Sequence, residues 1–323
     1  MTNPNAENSE SAGHLPIMVR EIIDLLSPEP GQLFVDLTIG RGGHSAAMAH
    51  ILTPQGKIEG FDLDGSNLTY TRNRLDSLCR NLKTSPAITL HHANFVEAAT
   101  ILGDTGKHAD LVLADLGFSS NQMDDPLRGF SFRSAGPLDM RLNPDAAMTA
   151  ADIVNHSDER ELADLIYQLG EDPFSRRIAR RIVEERANHP IENTKELADM
   201  VVKAYGHRAR QSRMHPATRT FMALRIAVNR ELESLQALIR NMTDKDIAEK
   251  WLNPQARIAF LTFHSLEDRL IKHMIRDLQK TNLAKRITRK PVTASDEEIR
   301  RNPRARSAKL RVFQLDLQGE PDR

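Results

Sequence analysis

The chain has 323 residues, 40% of them hydrophobic and 27% charged, which is ordinary for a soluble globular protein and enough to bury a core. The 44 lysines and arginines balance the 44 aspartates and glutamates, so the total charge excludes a globally basic nucleic-acid-binding protein. A single cysteine, Cys79, excludes an intramolecular disulfide and favours a reducing, cytoplasmic setting, and no apolar run predicts a transmembrane segment or a signal-peptide core.

Strands and helices alternate in the first third of the chain. Apolar runs predict strands at 32–37, 57–61, 87–91 and 111–114. The segments between them predict helices at 43–52 and 65–82 and from residue 95 onward. This alternation is typical of a parallel, doubly wound α/β sheet.

The pattern changes after the fourth strand. Residues 123–150 are rich in Asp, Pro, Gly and Arg and predict a long loop, whereas 158–242 predict helices without a strand. A strand at 257–263, a helix at 266–280 and a strand at 309–317 then restore the first pattern. We therefore predict a discontinuous domain at 14–122 and 226–318, an inserted all-helical domain at 123–225, and a disordered polar tail at 1–13.

Positive charge is concentrated in two segments. Residues 176–230 hold 13 lysines and arginines against five acidic residues, and 285–311 are also basic. A locally basic surface binds phosphates even when the total charge is balanced. The alternative is a set of solvated helix faces with local ion pairs.

A glycine-rich loop follows the first predicted strand. Asp36 ends the apolar run, and Gly40, Gly42 and Gly43 precede the helix. Glycine lets the backbone approach a ligand closely, and a helix N-terminus offers free N–H donors. The spacing is not G-x-G-x-x-G, so a turn fitted to a methionine carboxylate and adenosine is at least as plausible as one fitted to a pyrophosphate. A plain strand-to-helix turn is the alternative without a ligand.

Two residues after later strands are candidates for adenosine contacts. Asp62 ends the second strand, where an acid accepts hydrogen bonds from the ribose hydroxyls of NAD or S-adenosylmethionine. Otherwise Asp62 caps a helix, which is the role we expect of Asp64. Phe95 follows the third strand and either packs on an adenine face or belongs to the core.

Two further candidates follow the fourth strand and the strand at 257–263. The Asp115 carboxylate can accept the N–H of an amino-group substrate and stabilise the positive charge that develops as a methyl group arrives; a turn cap is the alternative. His264 either contacts substrate or lies at a helix start, where we expect Ser265 and Asp268 to form the cap. The histidine and cysteine spacings match no metal site, so we predict no metal.

An ordered series of motifs resembles the bacterial small-subunit ribosomal RNA cytosine-N4 methyltransferases, the MraW or RsmH family. The resemblance covers roughly residues 14–315, and the motifs are highly specific as a set although each fragment alone is weak. They are His14–Met18, Gly40–Ser45, Asp115–Gly117, Asp124-Asp125, Arg128–Phe132, Gly136–Arg141, His215–Phe221, Phe263–Arg269 and Asn302–Ser307.

The resemblance implies a class I, Rossmann-like methyltransferase sheet with a helical domain inserted after the fourth strand. It implies S-adenosyl-L-methionine as cofactor and, as substrate, a cytidine in the decoding region of 16S ribosomal RNA within the small subunit. By matched position, the implied cofactor contacts are Gly42, Gly43, His44, Asp62, Phe95, Asp115 and Gln122. The catalytic candidates are Asp115, Asp139 and His264.

Two segments depart from the family pattern. Asn121 stands where the family usually has proline before Gln122, which predicts a less rigid loop, and residues 281–301 are shorter than in many relatives. We expect no membrane partner, and the sequence leaves a homodimer open. Three rivals remain: a nicotinamide-dependent oxidoreductase, which would bind NAD; a non-catalytic ribosome-assembly factor, which would bind RNA without turnover; and a DNA cytosine-N4 methyltransferase.

Overall fold

The computed structural model describes residues 16–80, 82, 84–212 and 214–318, leaving the side chain of residue 120 aside. The predicted tail at 1–13, together with His14 and Leu15 of the first motif, lies outside the described residues. The chain divides into two compact units. We call residues 1–117 and 234–323 the sheet unit, and residues 118–233 the helical unit.

Seven strands of the sheet unit form one sheet. They are β1 (Leu33–Asp36), β2 (Lys57–Asp62), β3 (Ala87–His92), β4 (Ala109–Asp115), β5 (Leu252–Thr262), β6 (Ala284–Arg286) and β7 (Lys309–Leu315). The order across the sheet is β3-β2-β1-β4-β5-β7-β6. Strands β1 to β5 pair in parallel, and β7 is antiparallel to both β5 and β6. The predicted α/β class, with the sheet of a class I methyltransferase, is confirmed.

Helices connect and follow these strands. The α-helices of the described residues are α1 (Val19–Leu26), α2 (Gly43–Ala49), α3 (Gly65–Arg80), α4 (Ala98–Asp104), α5 (Ser120–Asp124), α6 (Ala150–His156), α7 (Glu159–Gly170), α8 (Ser175–Arg186), α9 (Thr194–Tyr205), α10 (Ala217–Asn229), α11 (Glu231–Thr243), α12 (Lys245–Ala248), α13 (Ser265–Lys280) and α14 (Asp296–Arg301). Short 3-10 helices occupy Phe95–Glu97, Pro126–Arg128, Gly206–Gln211 and Pro303–Ser307. Among the described helices, we find none long and apolar enough to span a membrane.

Successive residues of the central strands enter two different hydrophobic clusters. In β1, Val35 packs in the cluster that contains the buried Trp251, whereas Phe34 packs in the cluster that contains Met18. This alternation reflects the two-residue period of side chains along a strand. Because both faces are covered, the strands read in the sequence as continuous apolar runs.

The strand order reverses beside β1. Strands β2 and β3 lie on one side of it, and β4 and β5 lie on the other. At such a switch point, the loops that leave the carboxyl ends of the strands diverge and open a crevice that binds ligands. Asp36, the last residue of β1, pairs in register with Leu113 of β4, so the carboxyl ends of these two strands are neighbours.

The helical unit has a hydrophobic core of its own. Its buried members include Ile166 of α7, Ile178 of α8, Leu197 of α9 and Leu224 of α10. The predicted helical character of this region is confirmed. The predicted long loop before it is interrupted by two short elements, α5 and the 3-10 helix Pro126–Arg128.

Several elements were not predicted from the sequence. The short helices α1, α12 and α14 and the three-residue strand β6 gave no long periodic signal, and β5 begins at Leu252 rather than at residue 257. Short elements of this kind are formed by tertiary contacts rather than by local preference. For example, the backbone N–H of Met18 before α1 donates to the side chain of Glu298 in α14, 280 residues away.

Candidate active site

The loop between β1 and α2 is a close-packed turn that requires its glycines. Gly40 and Gly42 have positive φ angles of 50° and 69°, which disfavour residues with a side chain. The Thr71 hydroxyl of α3 donates to the Gly40 carbonyl at 2.6 Å. A Cβ atom added at Gly42 would lie 2.8 Å from Thr71 Cγ2. The turn is therefore held by α3 and leaves no room for larger residues.

Asp36, at the end of β1, lies beneath this loop. Its carboxylate accepts hydrogen bonds from Ser45 Oγ at 2.7 Å and from the Thr38 N–H at 3.3 Å. Burial raises the pKa of Asp36 to about 6, although His44, Ser45 and Thr38 favour the ionised form and Asp115 opposes it. This carboxylate thus gives up the hydration that a strand-end residue normally keeps.

His44 and Asp115 meet at the carboxyl ends of β1 and β4. The His44 Nε2 atom lies 3.5 Å from Asp115 Oδ2, and the backbone N–H of Asp115 donates to Thr38 Oγ1 at 2.7 Å. His44 is only 7% exposed. Within the part of the chain that the structure describes, the two ring nitrogens of His44 have no hydrogen-bond partner. The same is true of Asp115 Oδ1.

Unbonded buried polar atoms are uncommon in folded proteins and need an explanation. A polar ligand between the glycine loop and the end of β4 would supply the partners that His44 and Asp115 lack. The positive-φ glycines allow its close approach to the backbone. The residues present therefore fit a small polar cofactor at this place.

Asp62 ends β2 on the other side of the glycine loop. Its two carboxylate oxygens accept the Asp64 N–H at 2.7 Å and the Asn67 side-chain N–H at 3.2 Å. Burial raises the pKa of Asp62 to about 6, and the nearby Asp64 adds to that effect. The Gly40 N–H also binds this carboxylate, and since a carboxylate has about four acceptor sites, one remains for a further donor such as a hydroxyl group. Asp64 caps α3 as predicted, because its side chain accepts the Ser66 N–H at 3.0 Å.

Phe95 begins a 3-10 helix after β3. Asn94 caps that helix, and Glu97 completes a capping box. The Phe95 ring is half-buried and packs against the cluster of Trp251. Phe95 thus belongs to the core, which was the alternative to an adenine contact. Because part of the ring is exposed, contact with an adenine stays a prediction.

His264 is the N-cap residue of α13. Its Nδ1 atom accepts the Glu267 N–H at 3.5 Å, and its Nε2 atom lies 3.1 Å from Glu267 Oε1. The expected cap by Ser265 and Asp268 is wrong, because α13 begins at Ser265 and Asp268 instead binds Arg311 Nε at 2.7 Å. The Asp268 carboxylate thus forms a charge-assisted pair with an arginine of β7.

The remaining predicted residues, Asp139 and Gln122, belong to the helical unit. Asp139 receives Nε and Nη2 of Arg141 at 2.9 and 2.7 Å. Burial alone would raise the pKa of Asp139, but the bonds from Arg141 hold it below its usual value. Gln122 is buried, and its side chain accepts the Ser119 N–H at 3.0 Å as part of the cap of α5, which also contains Asn121.

The structure thus brings Gly42, Gly43, His44 and Asp115 together in the sheet unit, with Asp62 beyond Gly40. Asp139 and Gln122 are held by contacts inside the helical unit. Sequence reasoning did not select Asp36, Thr38 and Thr71 as site residues. The position of Asp36 at the end of an apolar strand was the available signal, whereas nothing local marks Thr71, which reaches the loop from α3.

Comparisons with known proteins agree on one family. The model of the MraW methylase family matches residues 11–316. A protein named ribosomal RNA small subunit methyltransferase H from Koribacter versatilis is 45% identical over 305 residues, which are 94% of this chain and 94% of that protein. Proteins of the same name from Acidobacterium capsulatum and Synechococcus elongatus are 45% and 44% identical, covering 94% and 97% of this chain and 98% of each relative.

Proposed function

This chain belongs to the MraW methylase family, and from that premise we propose that it transfers a methyl group from S-adenosyl-L-methionine to the N4 amino group of a cytidine in the decoding region of 16S ribosomal RNA. The observation that carries the proposal is the buried pair of His44 and Asp115, whose unbonded polar atoms lie at the switch point of the sheet. The names of the relatives supply the substrate class.

S-adenosylmethionine, when bound, supplies an electrophilic methyl group on a positively charged sulfur. The glycine loop of Gly42 and Gly43, together with His44, would hold the amino-acid end of the cofactor. Asp62 would accept a ribose hydroxyl, since its carboxylate has more acceptor sites than the three N–H groups that already bind it. The partly exposed ring of Phe95 would pack on the adenine. We also retain Gln122 as a predicted cofactor contact.

Asp115 orients the amine in this proposal. The exocyclic nitrogen of cytosine is a weak nucleophile, so positioning contributes more than a strong base. The unbonded Oδ1 atom of Asp115 accepts one N–H of the amine and stabilises the positive charge that develops on nitrogen. An amine that takes up a methyl group has one proton to release, and the Asp115 carboxylate would accept that proton and pass it to water.

The RNA is recognised by the predicted insertion at 123–225. A base inside a helix cannot reach a buried donor, so the target cytidine leaves its stack. Arginines of the segment 176–230 bind the phosphates, and Asp139 and His264 remain the predicted contacts to the base edge. The RNA partner is ribosomal RNA in the small subunit, and the reaction takes place in the cytoplasm, where that RNA is assembled.

The test uses isotopically labelled S-adenosylmethionine with unmodified small ribosomal subunits, followed by mass spectrometry of the nucleosides. We expect labelled N4-methylcytidine from the unmodified chain and little from Asp62→Ala. Asp64→Asn is the matched control, because asparagine caps a helix as well as aspartate does. Cofactor binding without transfer to subunits, RNA or DNA would favour the assembly-factor rival, and transfer to DNA alone would favour a DNA methyltransferase.

A further inference from the structure

Two arginine side chains of the helical unit converge on one aromatic ring. The guanidinium carbon of Arg177, on α8, lies 5.8 Å from the centroid of Phe174, and that of Arg208 lies 5.4 Å from the same centroid. Both arginines are exposed, and the ring is half-buried. Distances under 6 Å allow a cation to interact with the ring face. Two positive charges are therefore held close to each other at the surface.

The two charges lack an acidic partner. In the described part of the chain, no carboxylate lies within 4.0 Å of either guanidinium group, whereas two other exposed arginines of this unit are paired. Arg160 lies 3.9 Å from Asp164, and Arg180 of α8 lies 3.6 Å from Glu159. Like charges held together without a counterion repel each other. An anion placed between the two guanidinium groups would remove that repulsion.

The surroundings hold the ring and the two arginines in place. The Phe174 ring packs on Tyr205 with centroids 4.6 Å apart. The fully buried Asp172 accepts the Tyr205 hydroxyl at 2.9 Å and the Phe174 N–H at 2.9 Å. Gly206 has a φ of 60° and lies beside Arg177, because a Cβ atom added at Gly206 would be 4.0 Å from Arg177 Nη2. The Asp172 carboxylate is thus engaged by Tyr205 and Phe174 and forms no ion pair with Arg177 or Arg208.

We propose that Arg177 and Arg208, whose guanidinium carbons lie 5.8 and 5.4 Å from the Phe174 centroid, form a binding site for the phosphate backbone of RNA that includes none of the residues assigned to methyl transfer. A guanidinium group binds a phosphate through two parallel hydrogen bonds, and its plane, like the aromatic ring, also stacks on bases. RNA presents both groups in succession along one strand. The inference rests on the proposed function because it takes RNA as the macromolecular substrate.

The test measures how RNA binding depends on salt. Each phosphate contact to single-stranded RNA or duplex contributes a fixed release of counterions, so the logarithm of the binding constant falls linearly with the logarithm of salt concentration. We would titrate the whole protein into fluorescently labelled 16S ribosomal RNA, transcribed in vitro, at several concentrations of KCl. The variant is Arg177→Gln with Arg208→Gln. The matched control is Arg20→Gln with Arg160→Gln, which removes two exposed, paired arginines that lie outside the basic segments 176–230 and 285–311.

The expected result is a binding slope smaller in magnitude by about 1.5 to 2 for the first pair, together with weaker binding, and an unchanged slope for the control. Arg177→Lys with Arg208→Lys keeps the charge and should keep most of the slope. A slope for the glutamine pair equal to that of the unmodified chain overturns the site, as does loss of the slope in the control pair alone. Thermal unfolding of each variant identifies any that fail to fold. If the glutamine pair fails, Arg177→Gln and Arg208→Gln are measured singly, and an unchanged slope in both overturns the site.

Failure of this inference is distinguishable from failure of the proposed reaction. Equal salt slopes with normal formation of N4-methylcytidine would remove the phosphate site and leave the reaction. A reduced slope without methyl transfer would keep the phosphate site and remove the reaction. An unmodified chain that does not bind the RNA at any salt concentration would overturn the site as an RNA site.

Discussion

Replacing Asp62 by asparagine tests the proposed ribose contact with a defined magnitude. The substitution keeps the shape of the side chain but removes its charge and one of its two acceptor oxygens. A hydrogen bond to a charged group contributes about 1.5–3 kcal/mol. We therefore expect Asp62→Asn to weaken S-adenosylmethionine binding by roughly 10- to 150-fold. Asp64→Asn, two residues away, should leave the affinity at neutral pH within about twofold.

The pH dependence sharpens this prediction. The pKa of Asp62 is raised to about 6, so the free protein binds a proton there below that pH. Because ribose hydroxyls donate to the carboxylate, cofactor affinity in the unmodified chain should fall as the pH drops below about 6. Asp64→Asn removes a negative neighbour that raises this pKa, so the fall should begin at lower pH. Asp62→Asn should show a weaker pH dependence.

Isothermal titration calorimetry of S-adenosylmethionine binding between pH 5 and 8 measures both effects. Titration in buffers of different ionisation enthalpy also counts the protons exchanged on binding. Binding by Asp62→Asn as tight as that of the unmodified chain, at every pH, would refute the assignment of Asp62 to the cofactor. An equal loss in Asp62→Asn and Asp64→Asn would indicate a local structural defect instead.

Three further predictions concern residues around the same sheet. Gly42→Ala should destabilise the chain by about 1–2 kcal/mol because Gly42 has a positive φ, and the new Cβ would in addition clash with Thr71 Cγ2. Adding Thr71→Ser removes that methyl group, so it should recover the part of the loss that the clash causes and no more. Thermal unfolding of both variants measures the difference. Asp36→Asn should stabilise the free protein by up to roughly 3 kcal/mol above pH 6, because burial penalises the ionised form of Asp36. In urea unfolding, this gain in stability should vanish as the pH falls toward 4. A gain that stays constant with pH would contradict the prediction. Glu59→Gln should cost about 2 kcal/mol at pH 7, since the buried Glu59 binds Lys107 Nζ and His91 Nε2 at 2.6 Å each. These partners lower the pKa of Glu59 despite its burial, so in the same unfolding experiment the cost should disappear when acid protonates Glu59, well below pH 4.5.

The order of strands and helices could be predicted because each of these elements has its own pattern of apolar residues within a short segment. Runs such as 111–114 are apolar throughout, since a strand buried on both faces contacts two hydrophobic clusters. The glycine loop and the strand-end acids Asp62 and Asp115 were also recognisable, because turns and sheet edges need particular residue types. The family resemblance added the identity of the cofactor and of the substrate, which spacing alone could not distinguish from NAD and its substrates.

Contacts between distant residues could be read only from the tertiary structure. No local pattern predicts that the Thr71 hydroxyl donates to the Gly40 carbonyl or that Arg311 binds Asp268. Nor does one predict that His264, rather than Ser265, caps α13. The same is true of electrostatics, because the pKa of a strand-end aspartate depends on how fully the fold removes it from water. The sequence by itself determined the kind of sheet and the chemistry at its edge. The folded chain decided which charges lose their solvent and which lack a partner, since burial and pairing arise from residues far apart along the chain.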